Sequence, residues 1–361
     1  MKHKIKSLVP AALAGVMMLG INTTFAGNED RSGQSGASEL LINPWARSSG
    51  WGNANVAGVR GLESQFLNVA GTAFTKKTEL LFAHTNYLSG SDIGINSFGF
   101  AQKVGESGVI GLGFVSMNFG DMEVTTVELP EGGLGDYPVS FFNMGLSYAK
   151  GFTDHIFGGM NLKVISEAIP DARASGVALD AGIQYVAGKY ENAKFGISLK
   201  NIGPKMRYSG DGLSFRYTDI NNGQSYTANQ RSEAFEMPSQ VNIGGSYDCY
   251  LGDTVGKTHR ITLAGAYASN SFSKDEFKIG LEYGFKSFLM VRGGYNFEKG
   301  IGNDDESKDQ FRTTAHTGMS AGFTIELPLN KEKGSTFGLD YSYRATQPFN
   351  GTHCIGARMS L

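Results

Sequence analysis

The residues that could do chemistry are spread along the chain and do not form a catalytic motif. The six histidines include no pair with the spacing of metal ligands. Motifs of zinc proteases, serine hydrolases and phosphate-binding loops are absent from the sequence. The acidic stretch NDDESKDQ at 303–310 lacks the spaced oxygen ligands and the turn glycine of a calcium loop. These patterns predict a protein that is not an enzyme and that holds no cofactor and no metal.

Isolated charged residues instead occur on segments with a strand-like pattern. Together with Arg47, which precedes the predicted strands, these residues are candidates for a network of charges inside a barrel. The candidates are Arg47, Asp180, Glu282, Asp340 and Arg344. We expect Arg47 or Arg60 to pair with Asp180 or Asp340. The alternative is that these side chains only solvate or brace the interior.

The chain alternates between apolar and polar residues over long stretches. In DEFKIGLEYGF one face carries Phe277, Ile279, Leu281, Tyr283 and Phe285, and the other carries Glu276, Lys278, Gly280, Glu282 and Gly284. Strict alternation of this kind indicates β-strands. The polar face mixes glycine with charged side chains, which is typical of a barrel lumen whose apolar outer face meets lipid.

About fourteen such segments follow one another along the chain. They fall near 79–88, 93–103, 108–117, 140–150, 155–166, 175–187, 193–201, 239–250, 258–268, 275–286, 287–297, 315–327, 335–345 and 352–361. Most are longer than the roughly 5–6 residues usual in soluble proteins and match the roughly 9–11 that cross a bilayer. A soluble sandwich would also alternate, but with shorter strands. The sequence therefore predicts an all-β protein, a transmembrane antiparallel β-barrel of about fourteen strands at 79–361.

The lengths of the connections predict the orientation of this barrel. Counted from the first strand, the long connections 118–139, 202–238 and 298–314 are the third, seventh and eleventh, and so have odd numbers. The connections 151–154, 188–192, 251–257 and 286–287 have even numbers and are short. Long loops outside and short turns inside are the rule for outer-membrane barrels. We therefore expect extracellular long loops and periplasmic termini, in the outer membrane of a Gram-negative bacterium.

Two segments precede the barrel. Residues 1–26 combine three lysines, a short apolar stretch and the sequence TFA, which predicts a secretory signal peptide. Residues 27–78 are rich in small residues and are expected to form a plug in the lumen, starting at the periplasmic mouth, with only a short helical turn near 62–67. Cys249 and Cys354 fall on opposite faces of non-adjacent strands, so we expect two free thiols. Lysine plus arginine (32) nearly balances aspartate plus glutamate (34), which argues against nucleic acid as a partner.

The segment NPWARSSGWGNANVAG, followed by FLNVAG, resembles the N-terminal signature of the PorV/PorQ family of Bacteroidetes. The residues that carry the resemblance or lie within this motif are Pro44, Trp45, Ala46, Arg47, Trp51, Gly52, Asn68, Ala70 and Gly71. Val69 stands where the family usually has proline. The stretches NIGPKMRYS, MPSQVNIGGSYD and VRGGYNF are also similar to family sequences. The resemblance implies a fourteen-stranded barrel related to the FadL-like fatty-acid transporters, with an N-terminal segment folded into the lumen.

The resemblance also implies a function and partners. A PorV-like protein would be a non-enzymatic outer-membrane component of type IX secretion and gliding, binding a large translocon barrel and secreted cargo. The alternative is a FadL-like transporter of hydrophobic small molecules. The expected partners are outer-membrane lipid, the translocon, the cargo and, during biogenesis, the barrel assembly machinery. The candidate partner loop carries Leu129, Pro130, Leu134, Tyr137 and Pro138.

Overall fold

The computed structural model describes residues 29–251, 258–304, 311–330, 332 and 334–361. The predicted signal peptide lies outside the described residues. So do residues 305–310 of the acidic stretch and residues 252–257 of one predicted short connection.

Strands make up most of the described chain. The first half contains β1 (Thr78–Tyr87), β2 (Ile93–Val104), β3 (Gly108–Asn118), β4 (Met122–Glu123), β5 (Asp136–Tyr137), β6 (Ser140–Gly151), β7 (Ile156–Ile169), β8 (Ala172–Ala187) and β9 (Ala193–Ile202). The second half contains β10 (Tyr208–Ser209), β11 (Ser214–Thr218), β12 (Ser225–Asn229), β13 (Gln240–Leu251), β14 (His259–Asn270), β15 (Glu276–Phe285), β16 (Leu289–Glu298), β17 (His316–Asn330), β18 (Ser335–Thr346) and β19 (Thr352–Ser360).

The fourteen long strands among the described residues form one closed antiparallel barrel. Each pairs with its neighbours along the chain, and β1 pairs with β19 in a register from Glu79↔Ser360 to Asn86↔His353. Closure leaves no unpaired edge, which is required in lipid because no water is present to satisfy an open strand. The predicted fold class and strand count are confirmed, and the ends of every predicted strand lie within three residues of the observed ones.

The outer face of the barrel is apolar and the inner face is polar, as the alternation predicted. On β15, Phe277, Ile279 and Leu281 are exposed, whereas Lys278 and Glu282 are buried. The apolar outer side chains suit contact with lipid, and the charged inner side chains form ion pairs and hydrogen bonds inside the lumen. No helix of the described residues is long and apolar enough to cross a membrane.

Long and short connections lie at opposite ends of the barrel, because successive strands run in opposite directions. The long connections, between β3 and β6, between β9 and β13 and between β16 and β17, share one end. Two of them contain strands that were not predicted, namely the pair β4–β5 and the hairpin β11–β12. We call the end of the barrel that carries the three long connections the long-loop mouth, and the opposite end the short-turn mouth.

The segment before β1 folds into the lumen and contains more helix than the sequence predicted. Short α-helices span Ala46–Gly50 and Ser64–Leu67, and 3₁₀ helices span Glu29–Arg31, Ser38–Leu41 and Val69–Phe74. The helix Ser64–Leu67 coincides with the predicted turn. One further 3₁₀ helix, Asp211–Leu213, lies in a long connection. We call residues 29–77 the lumenal segment.

The lumenal segment begins at the long-loop mouth and not at the predicted periplasmic one. The backbone N–H of Gly36 donates to the carbonyl of Glu236, in the connection between β9 and β13. Leu361, by contrast, bonds to Thr78 at the short-turn mouth. The first described residues and the C-terminus therefore lie at opposite mouths, whereas the sequence predicted a segment that starts at the mouth where the chain ends. The reason is that Ala37 and Leu40 are buried in an apolar cluster at the long-loop mouth.

Glycines on the inner face let the lumenal segment approach the wall closely. A Cβ on Gly294 would lie 2.2 Å from the carbonyl oxygen of Trp51, and one on Gly182 would lie 2.1 Å from Oδ1 of Asn68. Real Cβ atoms do not approach this closely, so a Cβ at Gly294 would displace the backbone of Trp51, and one at Gly182 would displace the side-chain amide of Asn68. The many glycines of the strands thus have a packing role against residues 45–71.

Candidate functional site

A chain of polar contacts crosses five adjacent strands on the inner face of the barrel. Arg260 on β14 donates to Glu282 on β15 (Nη2–Oε1 2.5 Å), and Arg292 on β16 donates to the other oxygen of Glu282 (Nε–Oε2 2.9 Å). Arg292 also donates to Thr324 on β17 (2.6 Å), whose hydroxyl bonds to Asp340 on β18. Each strand supplies one residue at nearly the same depth, so the contacts brace this side of the lumen.

Two further polar clusters lie on the wall outside this chain of contacts. Lys163 on β7 and Asp180 on β8 form a buried ion pair of 2.8 Å, and Asn201 on β9 donates its backbone N–H to Asp180 (2.8 Å). Lys194 and Asp248 form a second buried pair of 2.6 Å, with the hydroxyl of Thr262 2.7 Å from Asp248. Buried charges need such partners, because an unpaired charge away from water is costly.

The candidate lumenal charges of the sequence do not form one network. Glu282 and Asp340 belong to the five-strand chain, whereas Asp180 belongs to the cluster on β7–β9. Arg344 lies on β18 opposite Ser320 and makes no ion pair with a described residue.

The lumenal segment contributes its own charges, with partners that differ from those expected. Arg47 lies 3.9 Å from Glu63, and Arg60 lies 3.0 Å from Glu191. Burial lowers the pKa of Arg47, but Glu282 and Glu63 raise it more, so the guanidinium stays charged. Burial raises the pKa of Glu63, although Arg47 lowers it. Neither arginine pairs with Asp180 or Asp340, because the segment carries Glu63 beside Arg47 and brings Arg60 to the short-turn mouth.

The motif residues of the lumenal segment are packing and capping residues. Trp45 and Ala46 are buried with Leu62 and Cys354, and the thiol of Cys354 lies 3.6 Å from the carbonyl oxygen of Pro44. Trp51 packs on Ala54 and Ala264.

The remaining motif residues fix tight turns of the segment. Gly52 has a φ of +62°, the left-handed region that favours glycine. The side chain of Asn68 accepts from the N–H of Ala70 and donates to the carbonyls of Val56 and Ile183. Gly71 accepts from the N–H of Gly61.

A cavity of about 470 Å³ lies between the lumenal segment and the wall near the short-turn mouth. Its walls carry five cationic and five acidic side chains, namely Arg47, Arg60, Lys76, Lys194, Arg260, Glu63, Glu191, Asp248, Glu282 and Glu326. The sequence did not single out Glu63, Arg260, Lys194 or Asp248. Alternation places the three strand residues on the inner face, but only the folded segment brings Glu63 to the same cavity.

The candidate partner loop lies away from the lumen. Leu129, Leu134 and Tyr137 are exposed in the connection between β3 and β6, as are Pro130 and Pro138. Met122 and Glu123 pair with Tyr137 and Asp136, so the base of this connection is a short ladder. No group of three or more potential metal ligands occurs among the described residues. The two cysteines are free thiols, as predicted, with Cys249 exposed and Cys354 buried.

Solved structures of outer-membrane barrels resemble this chain. The Pseudomonas putida toluene transporter TodX aligns with a TM-score of 0.53 at 11% identity, covering 88% of this chain and 97% of TodX. The Ralstonia pickettii toluene transporter TbuX aligns with a TM-score of 0.50 at 11% identity, with the same coverage. The chain shares the fold of these barrels. No protein-family model and no curated protein matches the sequence.

Proposed function

We propose that this protein is a non-enzymatic transporter of hydrophobic small molecules in the outer membrane of a Gram-negative bacterium, gated by its lumenal segment. The observation that carries the proposal is an apolar region inside the lumen at the long-loop mouth, which residues of the segment itself help to fill. The structures of the toluene transporters TodX and TbuX support it through their shared fold. It corresponds to the alternative function considered from the sequence.

The apolar region lies at the long-loop mouth. Its buried members are Ala37, Leu40, Ile95, Met117, Phe141, Ile165, Ala174, Ala178, Met206 and Met237. Ala37 and Leu40 come from the lumenal segment, and the others come from the barrel wall and the long connection that follows β9. Ile42 packs against the same cluster. Barrel interiors are usually polar, so an apolar surface here favours an apolar occupant.

Displacement of the segment would expose this apolar surface. Residues 37–42 are held there by burial of Leu40, by the bond between Gly36 and Glu236, and by the ion pair of Arg31 with Glu236 at 3.1 Å. The ion pair is half-exposed and contributes little. A hydrophobic solute could therefore compete with Leu40 for the same contacts.

Flux of toluene into vesicles that contain the purified full chain tests this function. We expect protein-dependent uptake of toluene and none of glucose. Leu40→Asp should raise the flux of toluene, because it weakens the packing of the lumenal segment at the long-loop mouth. Ser38→Asp, at an exposed position on the same short helix, should leave the flux unchanged. Toluene uptake equal to that of protein-free vesicles, for the native chain and for Leu40→Asp, would refute the proposal.

A second candidate function follows from the connection between β3 and β6. Apolar side chains on it face solvent, with Val127, Leu129 and Leu134 exposed by 101%, 48% and 52%. Exposed apolar groups of this kind suit docking to another protein. We propose as the second candidate the PorV-like role in type IX secretion, with a large translocon barrel and secreted cargo as partners; the barrel assembly machinery would act only during biogenesis.

Pull-down from gently solubilised membranes distinguishes the second candidate. A triple variant with serine at Val127, Leu129 and Leu134 should lose a translocon barrel that the native chain retains, and surface display of cargo should fall. The matched control replaces Phe215, Tyr217 and Tyr226 with serine, on the exposed hairpin β11–β12. Normal cargo display after deletion of the gene would exclude this role, provided that no paralogue is present.

A further inference from the structure

We propose that the cavity near the short-turn mouth binds a small oxyanion, a carboxylate or phosphate group, between the guanidinium groups of Arg47 and Arg260. This goes beyond the transport of hydrophobic molecules, because the cavity is polar and lies at the opposite mouth from the apolar cluster. The two sites share no lining residue.

The cavity has room for a ligand and a route to reach it. Its volume of about 470 Å³ falls within the range of small-molecule sites. Tyr190 and Glu191, in the turn between β8 and β9, and Ser287, in the turn between β15 and β16, line its rim. Gly58 and Gly284 lie on its walls, so part of the wall is bare backbone. A solute at the short-turn mouth would thus meet the cavity directly.

The acidic side chains of the cavity already have cationic or N–H partners. Glu282 accepts from both Arg260 and Arg292, and Asp248 accepts from Lys194 and Thr262. The same holds at the rim, where Glu191 accepts from Arg60. The other two carboxylates follow the pattern: Glu326 accepts from Arg358, and Glu63 accepts from the backbone N–H of Ser48. Each of the five acids therefore already has at least one donor partner.

The arginines, in contrast, have donors to spare. A guanidinium carries five N–H groups. In the described structure the side chain of Arg260 is 30% exposed and donates to Glu282 through Nη2, which leaves its Nη1 available to a ligand. The hydrogen-bond acceptor of Arg47 is the sulfur of Met290 at 3.6 Å, a weak acceptor, and its nearest carboxylate is 3.9 Å away.

An oxyanion would satisfy these donors. Carboxylate and phosphate oxygens match the fork of N–H groups on arginine, and such charge-assisted bonds are stronger than neutral ones. Lys76 is exposed and lines the same cavity, so it adds positive charge on the approach path. The lining carries equal numbers of cations and acids, so the proposal rests on the donors of Arg47 and Arg260 and not on formal charge.

A bound oxyanion would connect the lumenal segment to the barrel wall. Arg47 belongs to the helix Ala46–Gly50 of the segment, and Arg260 belongs to β14. A ligand that bridges the two binds the folded arrangement better than a displaced segment. Its binding should therefore raise the thermal stability of the protein as its concentration rises.

Calorimetric titration of the detergent-purified full chain tests the proposal. Inorganic phosphate and acetate are titrated at constant ionic strength, with chloride as the reference anion. We expect saturable binding of at least one oxyanion, a rising melting temperature, and neither effect with chloride. Arg260→Met should weaken binding by about tenfold or more. Arg31→Gln, which removes a guanidinium at the opposite mouth, should leave it unchanged.

A second variant keeps the test decisive if Arg260→Met does not fold. A Cβ on Gly284 would lie 3.6 Å from Nη2 of Arg260, an ordinary contact, so Gly284→Leu should fold while filling the cavity. It removes no charge and should still abolish binding. Binding of phosphate alone assigns a phosphate group, and binding of acetate assigns a carboxylate. Absence of saturable binding, equal binding of chloride, or full affinity in Gly284→Leu would each overturn the proposal.

Discussion

Glu282 and Arg292 lie directly opposite each other on β15 and β16, with 2.9 Å between Oε2 and Nε and with both side chains almost fully buried. Arg260 approaches the other oxygen of Glu282 from β14. One carboxylate therefore compensates two guanidinium groups on the two flanking strands. This makes Glu282 the residue on which the inner face of β14–β16 depends.

Glu282→Gln should destabilise the barrel strongly. The substitution leaves the buried guanidinium of Arg292 and the half-buried one of Arg260 without their counter-charge, and loss of one partner of a buried pair costs about 3–5 kcal/mol. Urea unfolding in detergent measures the change in the free energy of unfolding. Glu236→Gln is the matched control, because Glu236 also has two cationic partners, Arg31 and Lys205, but at the exposed long-loop mouth. An equally large loss for both variants would contradict the role assigned to burial.

Gly294→Ala should displace the lumenal segment from the barrel wall. The added methyl would meet the backbone of Trp51, which cannot rotate away as a side chain can. We expect a loss of about 1–3 kcal/mol, as for other overpacked positions, and faster cleavage of the segment by added protease. Gly293→Ala is the control, because a Cβ there comes no closer than 3.7 Å to its nearest neighbour, the carbonyl oxygen of Ser320. Equal protease resistance of the two variants would contradict the packing of the lumenal segment against the barrel wall at Gly294.

Cys354 should report whether the segment is in place. Its thiol is buried beneath Pro44, Trp45 and Ala46, so a maleimide reagent cannot reach it while they cover it. In a Cys249→Ser background, which leaves one thiol, we expect no labelling of the native protein and labelling after unfolding. Adding Gly294→Ala should speed the reaction. Rapid labelling of the native single-thiol protein would show that the segment leaves the wall spontaneously.

The packing of the lumenal segment at the long-loop mouth should become less stable as the pH rises. Burial raises the pKa of Glu39 from 4.5 to about 7, with a further contribution from the carboxylate of Glu167. Tyr208 donates its hydroxyl to Glu167 and is the other titratable group of this cluster. A raised carboxyl pKa means that the folded state binds more protons than the unfolded state between these values. The contribution of Glu39 to stability is therefore fully present below about pH 4.5 and is lost as the pH rises through about 7.

Glu39→Gln tests this pH dependence, because the amide mimics the protonated carboxyl. The melting temperature of the native chain should fall between pH 5.5 and pH 8, and the variant should lose most of this dependence. Glu123→Gln, in the connection between β3 and β6, serves as the control. An identical pH profile in the native chain and in Glu39→Gln would contradict the assignment.

Much of the barrel could be predicted from the sequence. Alternation depends only on which residues face lipid, so every long strand of the barrel wall, the parity of the connections and the apolar outer face followed from it. The free thiols followed as well, because Cys249 and Cys354 fall on opposite faces. The hairpin β11–β12 was missed, since both of its faces are exposed and it carries no such alternation.

The lumenal segment was the part that local pattern could not resolve. Its small residues and tryptophans predicted tight packing, and its helical turn at Ser64–Leu67 was expected, but the mouth at which it starts was not. That choice depends on Leu40, whose partners Ile95, Phe141 and Met206 lie far apart along the chain. The same holds for Arg47, which meets Glu63 only because the segment turns back on itself.

The sequence by itself thus determined a closed barrel with an apolar exterior, because strand period and lipid contact are local properties of successive residues. The tertiary structure decided which lumenal charges meet, where the segment crosses the lumen, and that an apolar cluster and a polar cavity occupy opposite mouths. Those features arise from side chains on strands and segment residues that are distant in the chain, and only the closed barrel brings them within contact distance.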